Sequence, residues 1–318
     1  MEGHGSCSTL MLKELLAAER TLDLMKAIGA FIKRHPLLSY FALAFAVSWG
    51  VVLIVIVVGH GSILAIKEQF ETLIPFVGPA MLLGPSVAGV LFTGLLYRKA
   101  GFRDLLARMT RWRIGARWYA VALLTAPLVS TAILLALSLR SREFLPLIFT
   151  SDEKAALLLM GIVGGLVVGF FEELGWTGFA IPTLMRLRYG VLGTGLIVGV
   201  LWGAWHLLVA FWSSGSASGE PALVSFLLNT FLFLVAFRVL MVWVYERTNG
   251  SLLVAILMHM SLVATVQMIN PFGPLKMAGV SLLTFDLLWA ALCAILAAVA
   301  VAQGGHLSRQ PPIQGRVA

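Results

Sequence analysis

Glu172 and Glu173 stand side by side in "FFEELGW" (residues 170–176), between "LLLMGIVGGLVVG" and "TGFAIP". No basic residue follows until Arg186. Two histidines occupy comparable apolar runs, His206 in "LWGAWHLLVAFW" and His259 in "NGSLLVAILMHMSLV". Two imidazoles and a carboxylate suit zinc or a similar divalent ion, with an open coordination position for water. A second glutamate beside them can act as general base. A metal that polarises a carbonyl while a base activates water performs peptide hydrolysis. The same groups would also make a proton relay, as in a coupled transporter. HExxH, GxSxG and Walker A patterns are absent from the sequence, which removes the usual metalloprotease helix, the nucleophile elbow and P-loop chemistry.

An ionisable side chain at the bilayer centre costs at least ~2.5–3.5 kcal/mol on insertion scales, so each one in these runs needs a reason. Arg238 and Asp286 lie within reach of span ends and can snorkel to the interface. Asn229 reads as an interhelical hydrogen-bonding group. For Glu172 the bland alternative is that its span ends there and both acids face water. Against it, "LGWTGFAIPTLM" carries the apolar character further. Counting from Ala155 at about 1.5 Å per residue places Glu172 ~26 Å from the outer end, inside the cytoplasmic half.

The elements that must position these groups carry small-residue stripes. Gly161, Gly165 and Gly169 recur at four-residue steps ahead of Glu172, which falls about 20° from Gly161 around the helix. Gly195, Gly199 and Gly203 precede His206 in the same way, and Ser251 and Ala255 precede His259. Small residues let helix backbones approach closely, so these three faces are expected to be bundle interfaces rather than lipid faces. His259 comes out ~12 Å from the cytoplasmic side, while His206 falls past the midplane unless its helix starts late or tilts.

Composition sets the same scene. The 318 residues are 59% hydrophobic and 12% charged, about half the charge of a soluble globule. Mean hydropathy is +0.94. Runs of about twenty apolar residues suit a bilayer core. Eight are read, over about 37–59, 75–97, 118–139, 155–180, 191–212, 223–245, 251–270 and 281–303, with Pro182 expected to end or kink the overlong fourth. The fold class is therefore all-α, a polytopic membrane protein with about eight transmembrane helices in one bundle. Net charge is +8, yet its distribution argues against nucleic acid. With both termini cytoplasmic, the segments before span one, over 98–117, around Arg186 and Arg188, at Arg247 and in the tail carry seventeen basic residues. The opposite side carries five: Lys67, Arg140, Arg142, Lys154 and Lys276. That asymmetry sets orientation and makes anionic lipid headgroups the expected partners. Residues 1–36 lack a cleavable signal and read as a cytoplasmic segment, either an amphipathic surface helix or a solvated leader. Residues 37–303 form the transmembrane domain, and 304–318 read as a disordered cytoplasmic tail. Cys7 and Cys293 lie in the leader and the last span, so no disulfide framework is expected.

"EELGWTGFAIPTL", "LWGAWHLLVAFW" and "NGSLLVAILMHMSLV" resemble the three motifs of the CAAX-processing and bacteriocin-processing (CPBP, or ABI) intramembrane protease family, EExxxR, FxxxH and HxxxN. The resemblance covers roughly residues 155–270. It implies an eight-helix fold and a peptidase acting on membrane-anchored or lipidated peptides in a bacterial cell membrane. Glu172 would then activate the water and Glu173 support it, with His206 and His259 holding a metal or positioning water and carbonyl. A divalent ion, zinc first, would be held by His206, His259 and Glu173. Three positions depart from the pattern: Thr177 stands at the arginine, Trp202 at the phenylalanine and Val263 at the asparagine. Asn270 shares a helix face with His259 but lies ~16 Å along the axis, too far to substitute. The favoured reading is an active peptidase. The alternatives are a family member without catalysis, acting as a binding or immunity-type membrane protein, and a proton-coupled transporter.

Overall fold

The computed structural model describes residues 4–60, 70–213, 227, 231–269 and 279–304. Asn229, Asn270 and the tail from 305 onward lie outside the described residues, as does the side chain of Asp286. The described chain is α-helical and contains no strand. Its helices are α1 (His4–Arg34), α2 (Pro36–His60), α3 (Phe70–Met109), α4 (Ala116–Ser138), α5 (Lys154–Gly175), α6 (Gly190–Ser213), α7 (Leu232–Arg247), α8 (Leu252–Ile269) and α9 (Gly279–Gly304). Six helical stretches among the described residues are long and apolar enough to cross a membrane: Pro36–Gly59, Pro75–Met109, Ala116–Ser138, Lys154–Arg186, Gly190–Val209 and Leu252–Ile269. The protein is a polytopic all-α membrane protein. The sixth and eighth runs of the sequence reading correspond to α7 and α9, which are shorter as apolar helices over the described residues.

Two boundaries differ from the sequence reading. The second apolar run does not end at 97 in a basic loop. Helical residues continue to Met109 across a sharp break at Arg98 (φ 52°, ψ −143°). The second leg buries Leu105 against Leu252 and Ile256, and Arg108 beside it. Secondly, Pro182 does not end the fourth run. α5 passes into a π-helical turn, Trp176–Ala180, and then an α-helical stretch, Ile181–Arg186, with Pro182 in its first turn. Proline is tolerated there, but it has no N–H to give the carbonyls four and five residues back. Those carbonyls, on Gly178 and Thr177, are taken instead by Arg108 Nη2 at 2.8 Å and Nη1 at 3.3 Å. Over the segment read as a surface helix or a solvated leader, α1 forms one long helix whose apolar Leu22, Leu24, Met25, Ile28 and Phe31 are exposed.

The glycine stripes lie between helices, as their spacing required. A β-carbon on Gly165 would sit 2.6 Å from Met260 O, and one on Gly169 2.8 Å from Ile256 O, so α5 and α8 touch backbone to backbone. On α6, a β-carbon on Gly195 would lie 2.7 Å from Val239 Cα, and one on Gly199 2.9 Å from Val235 Cα, which brings in α7. Gly164, off the stripe, has nothing within 4 Å. Packing of this kind, rather than water exclusion, is what holds helices together in lipid.

Candidate active site

α5 ends its regular helix at the paired acids, and both are buried (Glu172 3% exposed, Glu173 0%). Two helices are drawn to this point. Ser86 of α3 donates to Phe171 O at 2.7 Å, and a β-carbon on Gly175 would strike Pro85 O at 2.2 Å. Tyr40 of α2 packs edge-on against Trp176. The π turn follows directly, as such turns often do at functional sites.

The two carboxylates have different partners. Glu172 Oε2 accepts from the indole N–H of Trp202 at 2.7 Å and from that of Trp176 at 3.3 Å. Its Oε1 makes no hydrogen bond among the described residues. Glu173 is saturated. Arg238 Nη1 of α7 lies 2.9 Å from both of its oxygens, His259 Nδ1 lies 2.7 Å from Oε1, and the Thr177 hydroxyl donates to Oε2. His259 is buried and rests on this carboxylate, and His206 is half-buried on α6. His206 Nδ1 lies 2.8 Å from Trp202 O. A carbonyl only accepts, so that nitrogen carries the proton. A carboxylate likewise orders His259 Nδ1–H, and both histidines therefore present Nε2 to the site.

Trp202 stands at the centre. Its ring lies 5.7 Å from that of His206 and 5.3 Å from that of His259, with Arg238 Cζ 4.0 Å from its centroid. Trp205 adds an edge contact to His206 at 4.8 Å. Glu172, Glu173, His206 and His259, picked out by type and spacing, thus meet through one indole, despite the depth mismatch counted for His206.

His206, His259 and Glu173 were expected to hold a divalent ion. Among the described residues, no group of three His, Cys, Asp or Glu is placed to hold an ion. Glu173 also has both oxygens engaged by an arginine, an imidazole and a hydroxyl, leaving little capacity for a cation. Two contributions were missed in the sequence. Arg238, read as snorkelling, is fully buried on Glu173. Trp202, which takes the motif's phenylalanine position, supplies an N–H that phenylalanine lacks. The only signal for Arg238 was its position inside an apolar run, which does not reveal a partner 65 residues away. Val263, at the asparagine position, is half-buried one turn beyond His259.

Residues 154–265 match the model of the type II CAAX prenyl endopeptidase Rce1-like family. That stretch contains all four candidate residues, Thr177, Trp202, Arg238 and Val263. The match falls on the stretch that carries the CPBP-like motifs. The chain is similar to the curated "CAAX prenyl protease 2" of Methanococcus maripaludis, 28% identical over 113 residues. The match covers 35% of this chain and spans about two-fifths (39%) of that relative's length. The matched stretch runs from α5 into α8, where the acids and histidines gather.

Proposed function

We propose that the protein is an intramembrane endopeptidase of the CAAX-protease kind, hydrolysing membrane-anchored or lipidated peptides with Glu172 as general base. One observation carries this reading. In a single buried cluster, the acid side chain held by two indole N–H groups keeps one oxygen without a partner, and both imidazoles keep Nε2 free. Glu172 Oε1 takes a proton from water as the water oxygen attacks the scissile carbonyl, with His206 Nε2 fixing the same water. Collapse breaks the C–N bond, and the proton on Glu172 passes to the leaving amine.

No step here passes through a metal, because Glu173, one of the three ligands expected for one, is committed to Arg238, His259 and Thr177. The resemblance to a CAAX prenyl endopeptidase favours peptides with a prenylated cysteine near the C-terminus as the substrate class. The test is to reconstitute the purified protein in liposomes with a farnesylated peptide in ¹⁸O-labelled water. One ¹⁸O atom in the new carboxylate, without any imposed proton gradient, is expected. Peptide binding without cleavage would favour the non-catalytic alternative, and gradient-driven movement of intact peptide would favour the transporter.

A further inference from the structure

Among the described residues, Arg238 is the one guanidinium in contact with the paired acids, and it is fully buried (0% side-chain exposure, as for Glu173). A single nitrogen, Nη1, makes the contact to both Glu173 oxygens, while Nε and Nη2 are buried without a hydrogen-bond partner. A buried ion pair of this form is poor value for stability alone, since desolvation of both charges opposes the attraction and two donors go unmatched. Only the face of Trp202, 4.0 Å away, offsets part of that cost. The backbone is nevertheless arranged to deliver this side chain. Gly199 of α6 faces α7 where a β-carbon would press on Arg238 Cβ at 3.2 Å, so its missing side chain lets α7 close in.

We propose that Arg238 is a positioning residue of this site, fixing Glu173 as a carboxylate in the geometry that orders His259. The inference rests on the peptidase reading above and deepens it. Glu173 has one turn of helix on its own side, where Thr177 contributes a hydroxyl and no charge. The compensating cation arrives from the opposite helix. With it, the two adjacent acids divide their tasks: Glu173 is neutralised by Arg238 and aims His259, and Glu172 remains available to take a proton from water. Without it, two neighbouring buried carboxylates compete for the same protons, and the His259 ring loses the acceptor that sets its tautomer. Thr177 and Arg238 touch the same carboxylate from α5 and α7, so the guanidinium can be moved between them with side-chain volume nearly conserved.

Three variants test this: Arg238→Thr, the swap Thr177→Arg/Arg238→Thr, and Arg238→Lys. Each is purified in detergent and read by kcat, KM and the ¹⁵N imidazole shifts of His259. Arg238→Thr should lower kcat by ~10–100-fold with little change in KM, as loss of a ligand-orienting partner typically does. Its His259 should also lose the Nδ1–H signature. Because one nitrogen makes the whole contact, Arg238→Lys should recover much of the loss, and the swap should restore the His259 signature together with kcat. Unchanged kcat and unchanged shifts in Arg238→Thr would overturn the proposal. So would a folded swap and a folded Arg238→Lys that both remain as impaired as Arg238→Thr. If Arg238→Thr fails to fold, the other two decide, since both keep a cation at Glu173. If wild-type protein hydrolyses no peptide, the peptidase reading falls, and the His259 shifts still decide whether Arg238 acts through Glu173.

Discussion

The indole of Trp202 reaches Glu172 through its N–H and lies against His206, His259 and Arg238 through its ring. Trp202→Phe keeps the aromatic face and removes the donor. A hydrogen bond to a charged group is worth about 1.5–3 kcal/mol, so kcat should fall roughly ten- to a hundredfold while the fold persists. An unchanged kcat would mean that the N–H does not hold Glu172 in its working position. The second expectation at this scale concerns metal. With Glu173 committed to Arg238, His259 and Thr177, hydrolysis should survive exhaustive dialysis against a strong zinc chelator. Activity lost to the chelator and restored by zinc would return a metal to the mechanism. The four acids and bases were legible in the sequence because burying them in lipid is costly and they recur after small-residue stripes. Which partner each chose was not, because Glu173 could have served a metal, a proton or an arginine equally well on paper.

At the scale of elements, the π turn and the second leg of α3 depend on one another. Pro182 cannot serve the Gly178 and Thr177 carbonyls, and Arg108 takes both while its Nε pairs with Asp104 at 2.9 Å. Arg108 Nη1 also reaches Tyr245 OH at 3.1 Å, tying α3 to α7. Arg108→Met leaves two buried carbonyls without donors, each costing about 1–3 kcal/mol. The melting temperature in detergent should fall accordingly, by ~2–4 °C for each kcal/mol lost. Pro182→Ala in that background supplies the missing N–H and should recover part of the loss. If the two changes simply add, the proline argument is wrong. The stripes of α5 and α6 were readable as interfaces because four-residue spacing fixes one helix face. The helical leg over 99–109 was not, because a basic segment after an apolar run carries the same composition whether it is a solvated loop or a helix folded under the site.

For the whole molecule, the basic side of the charge asymmetry gathers at one end of the bundle. Ser251 donates to Arg111 O at 2.7 Å, Arg111 donates to Asn249 O, and Arg186 lies 5.0 Å over the ring of Tyr97. The segments around Arg111, Asn249 and Ser251, and Arg186 with Tyr97, all grouped on one side by charge, are thus neighbours in space. In a variant without Cys7 and Cys293, His4→Cys and Gln310→Cys should be shielded from a membrane-impermeant thiol reagent in intact cells, and Ser216→Cys labelled. Labelling of both termini would reverse the orientation, and labelling of one would break the even span count. Hydropathy showed the order of the apolar helices, whereas contacts such as α5 on α8 arise from side-chain fit between distant segments. The central claim is that this bundle holds Glu172 as the base of a hydrolytic site. Its most direct test is kcat/KM for a farnesylated peptide, measured in liposomes for wild-type protein and Glu172→Gln. The substitution keeps shape and removes the base, so a loss of at least ~10²–10⁴-fold is predicted. Cleavage by Glu172→Gln at the wild-type rate would contradict the account.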